Sequence, residues 1–375
     1  MPASTDIIVI GAGIAGASAA AELAATARVI VLEREPQPGY HATGRSAAFF
    51  AVSYGNAAVR AVTAASEPFY RAPPQGFAET PLFRPRPCVF FGRPQQRQAL
   101  ASLHQDIPSL HSLTPEQVRE RVPVMRPDYL AGGLLDSSGG DLDVDAILQG
   151  FLRRLRARGG ELYAGREVQA LSRSNGLWEV VTGNETLTAP IIVNAAGAWV
   201  DEIARRAGLE PLGLQPKRRT AMLIDAPQGH DVSVWPLMVD VEEKFYFKPD
   251  AGALLLSPAD ETPSQPCDAQ PEELDVALAV DRFETATGLD VPRVTRRWAG
   301  LRTFAPDKAF VVGFDPRTQG FFWLAGQGGY GVQTSPGMAQ LVTALIATTA
   351  PPEQAGLSAD LIRQLAPDRL IKVSL

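Results

Sequence analysis

Apolar residues in this chain fall into runs whose length and spacing separate buried strands from amphipathic helices. Residues 7–10 read IIVI and residues 29–32 read VIVL, two unbroken apolar runs of the kind found in strands covered on both faces. Between them GAGIAGASAAAEL is rich in small residues and predicts a helix packed closely on its sheet. A second helix is predicted after Asp141: Val144, Ile147, Leu148, Phe151, Leu152 and Leu155 share one helical face, with Asp143 as N-cap and Gly159 as stop.

The stretches ELYAGREVQAL, LWEVVTG and ETLTAPIIVNAAGAWV are strand-rich, and the last ends a buried run on Ala195, Ala196 and Gly197, small enough to admit a planar ligand. Residues 218–257 change character, with strand alternation and a PDAG turn typical of antiparallel sheet. PEELDVALAVDRF reads as a helix. Near the carboxyl end GFFWLAGQGGYGVQTSPGMAQLVTALI predicts a strand, a glycine-rich junction over 326–331, and a helix capped by Thr334 or Ser335 with Pro336 in its first turn. No internal repeat or low-complexity tract interrupts this order. The pattern is that of an α/β protein with a separate β-rich domain inserted into it.

Gly11, Gly13 and Gly16 give the first unit chemistry. They stand in GxGxxG spacing between strand and helix, and Glu33 closes the second strand, as in a dinucleotide-binding βαβ unit. Gly11 allows the tight turn, Gly13 admits a pyrophosphate against the backbone, Gly16 lets helix meet strand, and Glu33 suits a ribose hydroxyl pair. A helix-ending glycine is replaced by Ala27, which alters the turn rather than the ligand. The motif alone does not separate NAD from FAD. The junction at 326–331 joins close backbone approach to a helix amino terminus, a second site for negative charge.

Composition narrows the rest. With 375 residues the chain has length for about two domains, and its net charge of -6 and pI near 5.4 exclude a polyanion-binding surface, so nucleic acid is not an expected partner. The arginines Arg153, Arg154, Arg156 and Arg158 read as the solvated face of a helix. Cys88 and Cys267 lie far apart, and His41, His104, His111 and His230 lack ligand spacing, so a reduced compartment and no metal are expected. No leader pattern and no apolar run long enough to span a bilayer is present, which points to a cytoplasmic protein, with peripheral contact at the inner membrane face left open.

The stretch HATGRSAAFFAVSYG, residues 41–55, fits neither a helix nor a strand. Taken with GAGIAG, GREVQAL, NAAGAW, WAGLR and GQGGYGVQTS in this order, it makes nearly the whole chain resemble the flavin-dependent superfamily of D-amino acid oxidase, glycine oxidase and sarcosine oxidase. PGYHATGRSAA, LGLQPKRR, FYFKPDAG and WAGLRTF are most similar to the bacterial D-arginine dehydrogenases within it.

The resemblance implies a noncovalent FAD on a Rossmann-like domain made of residues 1–77, 140–212 and 299–375, with a mainly antiparallel substrate domain made of 78–139 and 213–298. Cofactor contacts would come from Gly11, Gly13, Ala15, Gly16, Glu33 and Arg34, and from Val168 and Gly197. The loop Thr43, Gly44, Arg45, Ser46, Ala47 and Ala48 would lie against the flavin ring or pyrophosphate, and Gly328, Tyr330, Gly331, Val332 and Gln333 would complete the site. Substrate contacts would be Tyr54, Arg219, Tyr246, Arg302 and the backbone of Gly329, with Phe49, Phe50, Cys88 and Gln333 shaping the pocket.

These positions also have a reading of their own. Arginine suits bidentate carboxylate binding, and Arg302 stands among small and apolar neighbours where an unpaired charge is costly. Alternation does not decide between Arg218 and Arg219. Tyr246, flanked by Phe245 and Phe247, must face away from both.

The activity implied is oxidation of a D-α-amino acid, with hydride passing from Cα to flavin N5 and the imino acid hydrolysing to a 2-oxo acid and ammonia. Electrons would go to oxygen or a quinone, and the protein would act as a monomer. Two departures stand out: Phe49 replaces a loop histidine of the D-arginine enzymes, and Cys88 replaces the glutamate that meets a cationic substrate. A neutral thiol does not balance a buried guanidinium, so neutral or apolar D-amino acids are expected over D-arginine and D-lysine. The alternatives are oxidation of sarcosine, glycine or proline, or a flavin subunit that only passes electrons.

Overall fold

The computed structural model describes residues 3–347 and 357–371; the remaining ends of the expected cofactor domain lie outside them. The described residues form two main layers. The first is a six-stranded sheet in the order Glu161–Tyr163, Val29–Leu32, Ile7–Ile10, Ile191–Asn194, Phe321–Ala325 and Val311–Phe314. It is parallel except for the last pair.

The unbroken apolar runs are explained by what covers them. Ile7, Val9, Val31, Val193 and Phe322 pack beneath helices α1 (Ile14–Leu23), α2 (Val144–Ala157) and α4 (Gly331–Ile346). Ile8, Ile10, Ile30, Ile192 and Trp323 pack on the opposite side against a smaller antiparallel sheet carrying Leu171, Trp178 and Val180. Asp143 caps α2 through the Ala146 N–H, as its sequence predicts. Of the four arginines expected on a solvated face, Arg154 of α2 and Arg158 at its carboxyl-terminal cap are instead paired with Glu22 of α1.

The second layer is a nine-stranded, mainly antiparallel sheet, with one parallel pairing between Cys88–Gly92 and Leu237–Asp240. Its period-two alternation separates two faces. Val89, Phe91, Met238, Phe245, Phe247 and Leu256 pack on α3 (Glu273–Thr287) through Val276, Ala279 and Phe283. Cys88, Phe90, Leu237, Val239, Tyr246 and Leu255 occupy the other face, with Ala47 and Phe49 of the 41–55 stretch packed against them. Tyr246 therefore faces away from its two phenylalanines, as pleating requires.

Helix α4 departs from its sequence reading. It begins at Gly331 rather than after Thr334 or Ser335, so Pro336 lies inside it. A proline there cannot donate to the carbonyl four residues back. The Val332 carbonyl accepts instead from the Tyr70 hydroxyl and the Ser335 hydroxyl, so no bond is forfeited.

Candidate functional site

A cleft of about 210 Å³ runs past the carboxyl ends of four strands of the first sheet, where Ile10, Leu32, Ala195 and Ala325 end their runs. One wall is the turn into α1, lined by Gly11, Gly13, Ile14 and Ala15. Gly11 has φ 103°, and a Cβ there would lie 2.5 Å from the Ala195 carbonyl oxygen. Gly16 lies behind this wall, where a Cβ would come within 1.9 Å of the Gly11 carbonyl oxygen, so it sets the helix against the turn.

Glu33, Arg34 and Val168 border one end. The Glu33 carboxylate accepts from Ala12 N at 2.8 Å and Glu35 N at 2.9 Å, which fixes its position and leaves lone pairs for further donors. The Arg34 guanidinium lies 4.6 Å from the Trp199 ring centre. Thr43 ties the following loop to α1 by accepting from Ile14 N at 3.0 Å. Gly197, Gly328, Gly331 and Val332 complete the walls.

A long polar cofactor fits this cleft by its chemistry. The glycine turn leaves backbone exposed where a pyrophosphate would sit. The Gln327 amide and the Thr303 hydroxyl, of residues bordering the cleft, are buried without a hydrogen-bond partner among the described residues. Neither residue is marked by a sequence motif of its own; the signal is their orphaned state, which only packing reveals.

A second cavity of about 70 Å³ opens beside the cleft. Ser46, Ala47, Arg219, Tyr246, Arg302, Gly329 and Val332 border both. Tyr54, Ala48, Phe49, Cys88 and Gln333 border the smaller one, together with Phe90, Leu237, Val239 and Ala259. Five residues singled out for substrate, Tyr54, Arg219, Tyr246, Arg302 and Gly329, are thus drawn from five separate segments to the lining of one cavity.

The arginines divide sharply. Arg218 pairs with Asp275, Glu272 and Asp260, away from the cavities. Arg219, on the opposite face of the same strand, donates to the Asp260 carbonyl at 2.8 Å and reaches Glu261 only at 3.5 Å. Arg302 has no carboxylate within ion-pair distance among the described residues. Burial alone would lower its pKa, but the Tyr54 and Tyr246 hydroxyls beside it outweigh that and hold the guanidinium charged. Its plane rests on Gly329, where a Cβ would come within 2.6 Å of Nη1.

Desolvation pushes the Tyr54 phenol above its usual range, and Glu243 pushes the same way against Arg302 and Arg219. Tyr54 is therefore a protonated donor at neutral pH and not a base. Burial, and secondarily Asp136, also pushes the Cys88 thiol up, so it is uncharged.

Several expected contacts lie elsewhere. Phe50 is fully buried against Tyr70 and Phe83, while its neighbour Phe49 borders the cavity. Gly44 packs on the Gly39 carbonyl and does not reach the cleft, and Tyr330 stacks edge-on against Tyr54. Arg45 borders the cleft, but its guanidinium is bonded to Asp268 and to the Ala269 and Ala299 carbonyls. Ala48 borders only the smaller cavity. So does Gln333, whose amide oxygen accepts from Ala51 N and whose amide nitrogen donates to the Thr63 hydroxyl.

Two charged residues on the smaller cavity carry no motif. Lys248 shares the face of Tyr246 and is neutralised by Asp141 at 2.9 Å. Glu243 lies exposed at the rim without an ion-pair partner among the described residues. Alternation from Tyr246 would have found the first; the second depends on a turn whose φ of 54° the sequence does not announce.

Among the described residues no helix is long and apolar enough to cross a membrane, and no group of three or more His, Cys, Asp or Glu could hold a metal. Among solved structures, L-proline dehydrogenase from P. horikoshii matches with a TM-score of 0.83 at 20% identity, over 98% of each chain. Glycine oxidase from Geobacillus kaustophilus matches with a TM-score of 0.82 at 20% identity, over 93% of this chain and 96% of that one. Among curated relatives, FAD-dependent oxidoreductase domain-containing protein 1 of Bos taurus is 24% identical over 62% of this chain, and the match spans only 55% of that relative's length. The profile of the FAD dependent oxidoreductase family matches residues 6–345, almost the whole of the two-layer fold and both cavities. FAD is accordingly the cofactor of this chain, which belongs to the FAD dependent oxidoreductase family.

Proposed function

We propose that this protein oxidises the Cα–N bond of a small amino acid, a D-α-amino acid with a neutral or apolar side chain, to an imino acid that water converts to a 2-oxo acid and ammonia. The observation that carries this reading is Arg302, a charged guanidinium without a carboxylate partner among the described residues, where the cofactor cleft meets the smaller cavity. A cation so placed calls for an anion from outside the chain, and a planar carboxylate matches its fork. Proline dehydrogenase and glycine oxidase, the names of two structural neighbours, are of amine-oxidising enzymes and support the same class of substrate.

Arg302, Arg219 and Tyr246 hold the carboxylate, which orients Cα toward the cleft. Gly329 borders both cavities, and its carbonyl accepts from the substrate amine. Tyr54 donates its hydroxyl proton in a hydrogen bond and keeps it, so loss of the amine proton falls to water or to the substrate's own equilibrium. Bound FAD supplies the two-electron acceptor for the hydride leaving Cα.

The side chain would meet Phe49, Cys88, Phe90, Leu237 and Val239. Lys248 adds no net charge because Asp141 balances it. The test is anaerobic bleaching of the flavin by paired D- and L-amino acids, sarcosine and glycine, followed by admission of air. Bleaching by D-Met, D-Leu or D-Phe ahead of D-Arg is expected. Preference for an L-amino acid or sarcosine overturns the stereochemical reading, and preference for D-Arg overturns the neutral pocket and moves its recognition to Glu243. Reoxidation in air separates oxygen from a quinone as acceptor.

A further inference from the structure

The FAD cleft is bounded on one side by a segment that belongs to the other layer. Residues 264–270 connect the edge strand Thr262–Pro263 of the large sheet to helix α3, and Cys267 of this segment borders the cleft. The next two residues are bound to the opposite wall. Asp268 is ion-paired with Arg45 and accepts from the Tyr40 hydroxyl at 3.2 Å, and the Arg45 guanidinium also holds the Ala269 carbonyl at 2.9 Å. Ala269 is 5% exposed and packs in a small cluster with Ala198 and Trp199, which line the cleft from the first layer. Tyr40 and Arg45 border the cleft themselves.

A side chain on the cofactor loop is thus committed to a segment of the substrate layer. Arg45 makes a further bond to the Ala299 carbonyl at 2.8 Å, and its stem lies on Gly300, where a Cβ would be 3.3 Å from the Arg45 Cβ. Its anchoring is stronger than that of Asp268, whose side chain is 49% exposed and whose hold on the loop rests on Arg45 and Tyr40. The exposed end of the ion pair is the part that can open.

We propose that residues 264–270 form a strap that retains FAD, and that the Arg45–Asp268 pair is its latch. Arg45 and Asp268 are positioning residues: they hold the strap across the cleft rather than acting on substrate. Cofactor release then requires the latch to part and the Ala269 contact with Trp199 to be given up, so the rate of FAD loss reports the latch even when catalysis is unchanged. A partly exposed ion pair is weakened by salt, so release should quicken with ionic strength for as long as the pair exists.

The experiment uses the full-length holoprotein and its Asp268→Ala and Asp268→Asn variants. FAD release after dilution is followed by flavin fluorescence, and Cys267 is titrated with an aromatic disulfide in the holo- and apoprotein. Release on the order of tenfold faster in D268A is expected, as for loss of a charge-assisted bond worth about one factor of ten, with D268N intermediate. Salt should accelerate release from the parent and have little effect on D268A. Cys267 should react slowly in the parent holoprotein, and faster in parent apoprotein and in D268A holoprotein. Release from D268A at the parent rate overturns the proposal, as does a lowered Tm with release unchanged, or a Cys267 equally reactive with and without FAD. Should D268A fail to fold, Tyr40→Phe tests the same latch, with faster release expected and an unchanged rate overturning it.

Discussion

The glycine-lined cleft and the smaller cavity beside it differ in what shapes them. The turn from Gly11 to Ala15 and the glycine turn at 326–331 give the cleft walls of backbone and small residues, and segments at 39–47, 166–168, 195–206 and 300–303 complete its lining. The smaller cavity is made of side chains from segments near residues 46–54, 88–90, 219, 237–248, 302 and 329–333. A backbone site tolerates no added atom and cares little for side-chain identity. A side-chain site is the reverse, and the difference between the two predicts how each will fail.

The largest effect is expected from Gly16→Val. Its Cβ would lie 1.9 Å from the Gly11 carbonyl oxygen, so α1 or the cofactor turn must move. Overpacking of this kind costs roughly 1–3 kcal/mol, and the purified variant should be colourless and melt below the parent. A yellow protein with the parent's Tm would show that the turn is not held by close approach.

Arg302→Met comes next and should leave the first site whole while breaking the second. Loss of a charge-assisted carboxylate pair is expected to lower kcat/KM by roughly two to four orders of magnitude with the flavin spectrum intact. Near-parent kinetics with full flavin would remove Arg302 from the substrate.

Tyr54→Phe should have the smallest effect. One neutral hydrogen bond is removed, for a loss of about tenfold or less in kcat/KM. Because desolvation raises the Tyr54 pKa, the phenol stays protonated through the working range and the alkaline limb of the pH profile should not move. A shifted alkaline limb would make Tyr54 the group that titrates and reverse its assignment as a donor.

The same contrast sets what can be read without coordinates. The βαβ unit was legible because its partners lie within some 30 residues and its steric demands fall on glycine, the one residue type that meets them. The antiparallel strands within 218–257 were legible from alternation, and the opposite facing of Tyr246 and Phe247 followed from it. The start of α4 was not, since Pro336 normally marks a first turn, and the hydroxyls of distant Tyr70 and of Ser335 make it acceptable further in. Phe49 and Phe50 are neighbours of equal hydrophobicity, yet one borders the cavity and the other is sealed in the core.

What the sequence determined by itself is the two-layer α/β plan and the cofactor cradle, because periodicity and glycine spacing are local and act through backbone geometry. What only the tertiary structure decided is which charges are free. Arg218 and Arg219 are identical and adjacent; Asp275 and Glu272 on α3 and its cap claim the first, and Arg219 is left facing the cavity with Arg302. Arg45 looked equally available until Asp268 was brought to it from more than two hundred residues away. A side chain's charge is written in the sequence, but whether that charge is already balanced depends on partners that only folding brings within reach.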